Sequence, residues 1–361
     1  MSKPPSLRDV AEHAGVSLGT ASRALNNKNN VLPDTRARVL KAASELGYKL
    51  QFRVHSAVAS KLNTIGVIIK RDPIEYHGID PFNYGLLCGI EDECKRLGMN
   101  MMFSTIPVDE YSHAVGSSPI LAEAALDGLV IVGAILSDKA LCDQLPTDIP
   151  IVFVDACAYH GEFDSVLIDN FGSAYQIVSH LIEQGHTTIG LIGSSSKSDE
   201  HPSIQERRRG YLQALADHGI DRTYIEDSSL MRQVASAAAQ LLLTEHPEIT
   251  ALFACNDQLA TDIIPLAHKL GRPVPESLSI VGFDDVDIAA KSMPPLTTMH
   301  VDRELMGALA VRRLYDRATY LDSVPVKVLV GTRLVMRQSV SAPVRTATSM
   351  SRVDGKSRRN S

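Results

Sequence analysis

The amino-acid sequence predicts a chain in two parts: an all-α helix-turn-helix head, then an α/β body with two doubly wound parallel-sheet lobes. Three observations lead there. Residues 7–26 place apolar side chains at helical spacing around a central glycine. From Thr64 onward, short continuous apolar runs alternate with helical stretches. Basic residues gather at the N-terminal end, although the chain of 361 residues carries a net charge of −6.

The head comes first. Leu7, Val10, Ala11 and Ala14 share one helix face. Gly15 supplies a turn conformation that a residue with a Cβ resists. Val16 plugs the turn into the core, and Ser17 is placed to cap a second helix through its hydroxyl. Thr20, Ser22 and Arg23 then fall on or beside the outer face of that helix, within reach of a DNA groove. A third helix opens at Pro33-Asp34, carries the stripe Val39, Leu40, Ala43 and Leu46, and ends at Gly47-Tyr48. An ordinary helical hairpin with a polar face would share the first part of this pattern. The third helix and the local charge favour a DNA-binding head over residues 1–48. In residues 1–62, ten Lys and Arg stand against four Asp and Glu, a net +6 that leaves −12 on the remainder. A basic head on an acidic body suits a protein that touches phosphates with one end only.

Residues 49–62 read as a polar linker or hinge, and residues 63–341 as the body. Apolar runs at 65–69, 101–103, 128–132, 151–154, 165–168, 188–192, 251–254 and 279–283 read as strands buried on both faces. Helical stretches at 84–97, 172–184, 205–218, 233–245 and 257–270 alternate with them, and Gly98, Gly185, Gly219 and Gly271 mark helix ends. That alternation implies parallel sheets covered on both faces, with enough strands for two. Ligands of such sheets bind beyond the strand C-termini, so two lobes would face each other across a cleft. With no tryptophan and 5% aromatics, the cores must be aliphatic. Residues 342–361 are rich in Ser, Arg and Thr and read as a disordered tail.

Five cysteines without a Cys-x-x-Cys pair, and no signal peptide, suggest reduced thiols and a cytoplasmic protein. No apolar run reaches the ~18–20 residues that span a bilayer. An enzyme built on a doubly wound core is the rival class. Against it, no Gly-x-Gly-x-x-Gly follows the first strand, and no Gly-Lys-Ser/Thr phosphate loop or His-Glu-x-x-His motif is present. No cofactor or metal is expected.

The ordered motifs resemble the lactose-repressor-like (LacI/GalR) family of transcription regulators over roughly residues 6–341. In the head they are Asp9-Val10-Ala11, Ala14-Gly15-Val16-Ser17, Thr20-Ala21-Ser22-Arg23 and Leu46-Gly47-Tyr48. In the body they include Pro150-Ile151-Val152-Phe153-Val154-Asp155, Glu206-Arg207, Gly210-Tyr211 and Phe253-Ala254-Cys255-Asn256-Asp257. Val281-Gly282-Phe283-Asp284-Asp285 and Pro294-Pro295-Leu296-Thr297-Thr298 close the series. The resemblance implies a homodimer, or a dimer of dimers, on double-stranded operator DNA, with a body like a periplasmic binding protein. A small effector, a sugar in the leading reading, would sit between the lobes and set operator affinity. A repressor is the leading expectation; an activator, or a corepressor-dependent regulator with a non-sugar effector, is the alternative. The absence of a leucine heptad tail favours a dimer over a tetramer.

The resemblance also implies roles for particular residues. Leu18, Gly19, Thr20, Ser22 and Arg23 match the positions that face base edges, and Arg23 suits bidentate readout of guanine. Ser17, Thr20, Ser22, Asn26 and Asn30 are candidates for phosphate contact. The hinge departs from the family: Leu50 stands at a usual proline, and Ala57 at the position of a leucine that wedges into the minor groove. Alanine is a poor wedge, which implies a weaker or displaced kink. Asp155, Arg207, Asn256 and Asp284 match effector-contacting positions, since carboxylate, guanidinium and amide groups bridge neighbouring hydroxyls. Asp284 is favoured over Asp285 for the cleft. Phe82 matches an aromatic that packs on the effector, although a core phenylalanine reads equally well. Ala156, Val301 and the absence of an aromatic in 226–236 depart from the sugar-binding pattern.

Overall fold

A computed structural model describes residues 7–17, 20–21, 24, 33–46, 62–71, 79–122, 126–137, 139–158, 163–197, 199–320 and 324–344. The linker and tail expectations fall almost wholly at 49–61 and 345–361, outside the described residues. The chain forms two compact units, Met1–Ser60 and Lys61–Ser361.

In the smaller unit, α1 (Leu7–Ala14) ends where Gly15 takes φ 64° and donates its N–H to the Glu12 carbonyl at 3.2 Å. Helical residues resume at Thr20, Ala21 and Ala24, and α2 (Pro33–Glu45) follows. Val10, Ala11, Ala14, Ala21, Ala24, Val39, Ala42 and Ala43 are buried together, with Val16 and Leu46 packed against them. One stripe residue is corrected: Leu40 is 48% exposed, and Ala42 takes the inward position. An alanine-rich core brings the helices close and leaves little room there for leucine. His13 Nε2 lies 2.9 Å from Glu45 Oε2 and ties α1 to α2.

The larger unit contains two parallel sheets. The first has the order β13-β7-β5-β3-β1-β2, with β1 Thr64–Arg71, β2 Asn100–Pro107, β3 Gly128–Val132, β5 Ile151–Val154, β7 Asp164–Ile168 and β13 Lys327–Val330. The second has the order β11-β10-β8-β9, with β8 Ile189–Ile192, β9 Tyr224–Ile225, β10 Ala251–Ala254 and β11 Ser279–Val281. The short strands β4 (Ile135–Leu136) and β6 (Cys157–Ala158) pair in parallel, and β12 (Thr298–His300) pairs with β14 (Arg333–Val335) in antiparallel. The central strands are buried on both faces, as continuous apolar runs require.

Helices cover both sheets: α3 (Pro81–Leu97), α4 (Lys139–Cys142), α5 (Asn170–Glu183), α6 (Pro202–Asp217), α7 (Arg232–Glu245), α8 (Asp257–Lys269), α9 (Asp287–Lys291) and α10 (Arg303–Thr319). Three of the five helices expected in the body begin two or three residues earlier than their apolar periodicity suggested. Pro81 and Pro202 occupy first turns, where a missing N–H is harmless. Both α10 and β13 return to the first lobe after the chain has built most of the second. α10 packs along α3, where Gly89 and Gly307 let the backbones approach. A Cβ on either would fall inside 3.0 Å of a carbonyl, that of Glu304 or of Leu86. Arg312 bridges the same contact to buried Glu93, at 2.8 and 3.2 Å. Buried Asp164 on β7 accepts from Arg317 and from the Val326 N–H, both at 2.6 Å, fixing α10 and β13 to the sheet. The chain passes between the lobes three times: after β7, after β12 and after β13.

Candidate functional site

A cavity of about 510 Å³ lies where the C-terminal ends of both sheets meet. The first lobe lines it with Lys70, Asp80, Phe82, Asn83, Tyr111 and Asp155 among others, the second with Glu200, His201, Ser203, Arg207, Asn256 and Asp284. All five effector candidates therefore line one cavity. Two of them hold unusual backbone. Asp155, just after β5, has φ 45°, and Asp284, just after β11, has φ 106°. Ser112 on the same wall has φ 70°. Positive φ in residues other than glycine concentrates at functional sites, because the surrounding fold must hold the strain.

Arg207 is the buried centre of the second-lobe wall. Its Nε donates to Asn170 Oδ1 at 2.8 Å, Nη1 to the Cys255 carbonyl, and Nη2 to Asp284 Oδ1 at 3.3 Å. The guanidinium stacks on Phe283, 3.7 Å from the ring centre. Burial pushes the Asp284 carboxyl up to about 6, with Arg207 holding it back. Asp285 turns away to His300 and Arg337, at 2.9 and 2.6 Å. The residues that follow Arg207 divide as well. Arg209 is exposed beside Glu206, whereas Arg208 is mostly buried and pairs with Asp227 at 2.6 Å.

The remaining candidates sit at helix starts. Asn256 Oδ1 caps α8 by accepting the Leu259 N–H at 2.9 Å, which leaves the amide nitrogen as the donor. Phe82 lies in the first turn of α3, half-buried; it lines the cavity and also packs on the core. Asp80 caps that helix through the N–H groups of Phe82 and Asn83, each at 3.0 Å.

Several cavity residues escaped the sequence reading. Ser203 Oγ donates to Asp155 Oδ1 and joins the lobes. Lys197 Nζ reaches the Tyr111 hydroxyl at 3.0 Å, and His113 Nε2 stands 2.6 Å from the Asp199 carbonyl, adding two more links across the cleft. Burial lowers His201 to about 4, so its ring is neutral near pH 7, and its Nδ1 accepts the Ser203 N–H at 3.2 Å. Burial also raises Glu200 to about 7, although the N–H groups of Ser195 and His201 stabilise its anion. Asn170, which orients Arg207, follows a recognised strand at its C-terminal end; the rule that marked Asp155 and Asn256 would have found it.

On the smaller unit, the Thr20 N–H donates to Ser17 Oγ at 3.2 Å, and the two hydroxyls lie 2.8 Å apart. Both side chains stand at the start of the helix after the turn. Leu18, Gly19, Ser22, Arg23, Asn26, Asn30 and Ala57 lie outside the described residues. Among the described residues, no group of His, Cys, Asp and Glu is arranged to hold a metal ion, and no helix is long and apolar enough to cross a membrane.

Two family models match the chain. Residues 6–51 match the bacterial regulatory proteins of the lacI family, and residues 178–340 match a periplasmic binding protein-like domain. The HTH-type transcriptional repressor CytR of Escherichia coli is 33% identical over 313 residues, covering 86% of this chain and 89% of its own length. Among solved structures, a complex of the transcriptional regulator CelR with cellobiose matches with a TM-score of 0.66 and 28% identity, covering 93% of this chain and 99% of its own. The lac repressor dimer bound to operator and an anti-inducer matches with a TM-score of 0.63 and 26% identity, over 94% and 100% of the two chains. A head with this turn, a body with two lobes and these matches along nearly the whole length lead to one assignment: the chain belongs to the LacI family of bacterial regulatory proteins.

Proposed function

We propose that this protein is a transcriptional repressor whose affinity for operator DNA is set by a small polar effector, a sugar, bound between the lobes of its body. The observation that carries the reading is the cavity. Asp155, Arg207, Asn256 and Asp284, from four separate segments, converge on one space of about 510 Å³ at the strand ends. That volume lies within the ~300–1,000 Å³ of small-molecule sites. Carboxylate, guanidinium and amide groups suit paired hydroxyls, and the relative solved with cellobiose supports the sugar class. Ser17 and Thr20, with Leu18, Gly19, Ser22, Arg23, Asn26, Asn30 and Ala57, form the proposed DNA face. The acting species is a homodimer, as in the lac repressor dimer on its operator. Its contact surface draws on apolar edge residues such as Met102 and Phe103, which are 37% and 43% exposed on β2.

Operator sequences selected from a random DNA pool and measured by fluorescence anisotropy test the DNA side. Log affinity is expected to fall linearly with log salt, with a slope set by the phosphates contacted. Arg23→Ala is expected to cost ~1–3 kcal/mol and relax one base position. Flat salt dependence removes the DNA role. A sugar panel in the same assay tests the cavity: a sugar that binds the folded protein without changing operator affinity refutes effector control.

A further inference from the structure

Resting on the reading of the cavity as the effector site, the charge arrangement of that cavity points to a narrower ligand class. We propose that it accepts polyhydroxy ligands that are uncharged or carry an amine, and rejects phosphate esters and carboxylates.

Among the described residues, five acidic groups line the space, Asp80, Glu110, Asp155, Glu200 and Asp284, against two cations, Lys70 and Arg207; burial raises Glu200 to about 7 and Asp284 to about 6, so the excess is smaller in charge than in number but keeps its sign. Among the described residues that line the cavity, Arg207 is the one fork suited to a phosphate. It is already committed to Asn170, the Cys255 carbonyl and Asp284, with one face closed by Phe283. Lys70 donates to Ser112 Oγ at 2.9 Å. His201, held neutral by burial, adds no positive charge.

Helix N-termini are the other common seat for an anion, because their free N–H groups point at it. Here the capping residues of three helices line the cavity and occupy those groups. Asp80 caps α3 with a carboxylate where an anion would sit, His201 caps α6, and Asn256 caps α8. Proline in the first turn removes one N–H from α3 and another from α6. Two further helices, α7 and the five-residue α9, have no side-chain cap, but the residues at their starts that reach the cavity are apolar Leu230, Met231 and Val286.

The test works whichever effector the protein binds. A Met231→Cys variant of the full chain is treated with cationic and with anionic methanethiosulfonate reagents of similar size. Modification at position 231 is followed by peptide mass spectrometry, which separates it from the native thiols. Rates are normalised to a free thiol. A cavity with excess carboxylate is expected to favour the cationic reagent roughly tenfold. Equal rates, or preference for the anionic reagent, overturn the proposal. Gln258→Cys, on the same wall, gives the same comparison should the first variant fold poorly. Operator binding by the modified protein is read separately. Cationic preference with no change in operator binding leaves the charge assignment standing and removes the effector role of the cavity. In a matched set, a phosphate ester that binds more tightly than its parent sugar also overturns the proposal.

Discussion

Replacing Arg207 is expected to damage the fold and the cavity together. Arg207→Ala removes a donor from three buried acceptors: Asn170 Oδ1, the Cys255 carbonyl and the Asp284 carboxylate. It also removes the stack on Phe283. Each acceptor left dry costs ~1–3 kcal/mol. Breaking a buried ion pair by deleting one partner costs ~3–5 kcal/mol. Water entering from the adjoining cavity relieves part of both, so the total is expected at about 3–5 kcal/mol rather than their sum. Asp284, without its cation, moves further up from about 6 and binds a proton near neutral pH. Adding Asp284→Asn to Arg207→Ala is expected to restore part of the loss, with a coupling of at least ~1 kcal/mol between the two sites. Urea unfolding followed by far-ultraviolet circular dichroism measures all four states; the chain has no tryptophan to report by fluorescence. A loss below ~1 kcal/mol for Arg207→Ala, or single effects that add within ~0.5 kcal/mol, would refute the idea of a structural guanidinium at the cavity wall.

Gly89→Ala and Gly307→Ala should each destabilise by at least ~1–3 kcal/mol, because the new Cβ meets backbone carbonyls across the α3–α10 crossing; an unchanged urea midpoint contradicts that packing. Glu200 rises from 4.5 to about 7 on folding, so its contribution is complete below pH 4.5 and disappears as pH climbs to 7. That amounts to about 3 kcal/mol at most, and Glu200→Gln should flatten melting temperature against pH in this window; parallel curves for the two proteins rule it out. Glu93 has the opposite sign, since Arg96 first and Arg312 second hold it at about 2, so its stabilisation is present above pH 4.5 and fades as pH falls towards 2. Both arginines are half-exposed, which trims the effect to ~1–2 kcal/mol; acid unfolding of Glu93→Gln at an unchanged midpoint argues against it.

Much of this architecture was legible in the sequence because burial leaves a local trace. Strands covered on both faces must be continuously apolar, so 128–132, 151–154 and 251–254 announced themselves. Asp155, Asn256 and Asp284 stood at strand ends, where parallel sheets present their ligand groups. Pairings between distant segments left no such trace. Nothing local says that Lys327–Val330 adds to β7, or that Gly89 faces Gly307; those facts come from packing. Ser203, in the first turn of α6, shows its link to Asp155 only when the two lobes approach. Leu40 failed for a related reason: periodicity marks a face, but only the neighbouring helices decide which of its residues fit.

The three passages between lobes carry a consequence for how the protein is made. The first sheet cannot be completed until β13 has been synthesised, about 160 residues after β7. The groove of α3 stays open until α10 exists to fill it. At ~5–20 residues per second, a ribosome needs roughly 8–30 s to cover that distance. Throughout that time the nascent first lobe exposes an unpaired β7 edge and an apolar helix face. The second lobe waits nearly as long, since Ser339 must reach the Ile280 carbonyl to close its own border. Neither lobe can therefore mature alone on the ribosome. A message that stops before the codons for Lys327–Val330 yields two unfinished lobes rather than one sound one, and such a product is a substrate for chaperones and proteases.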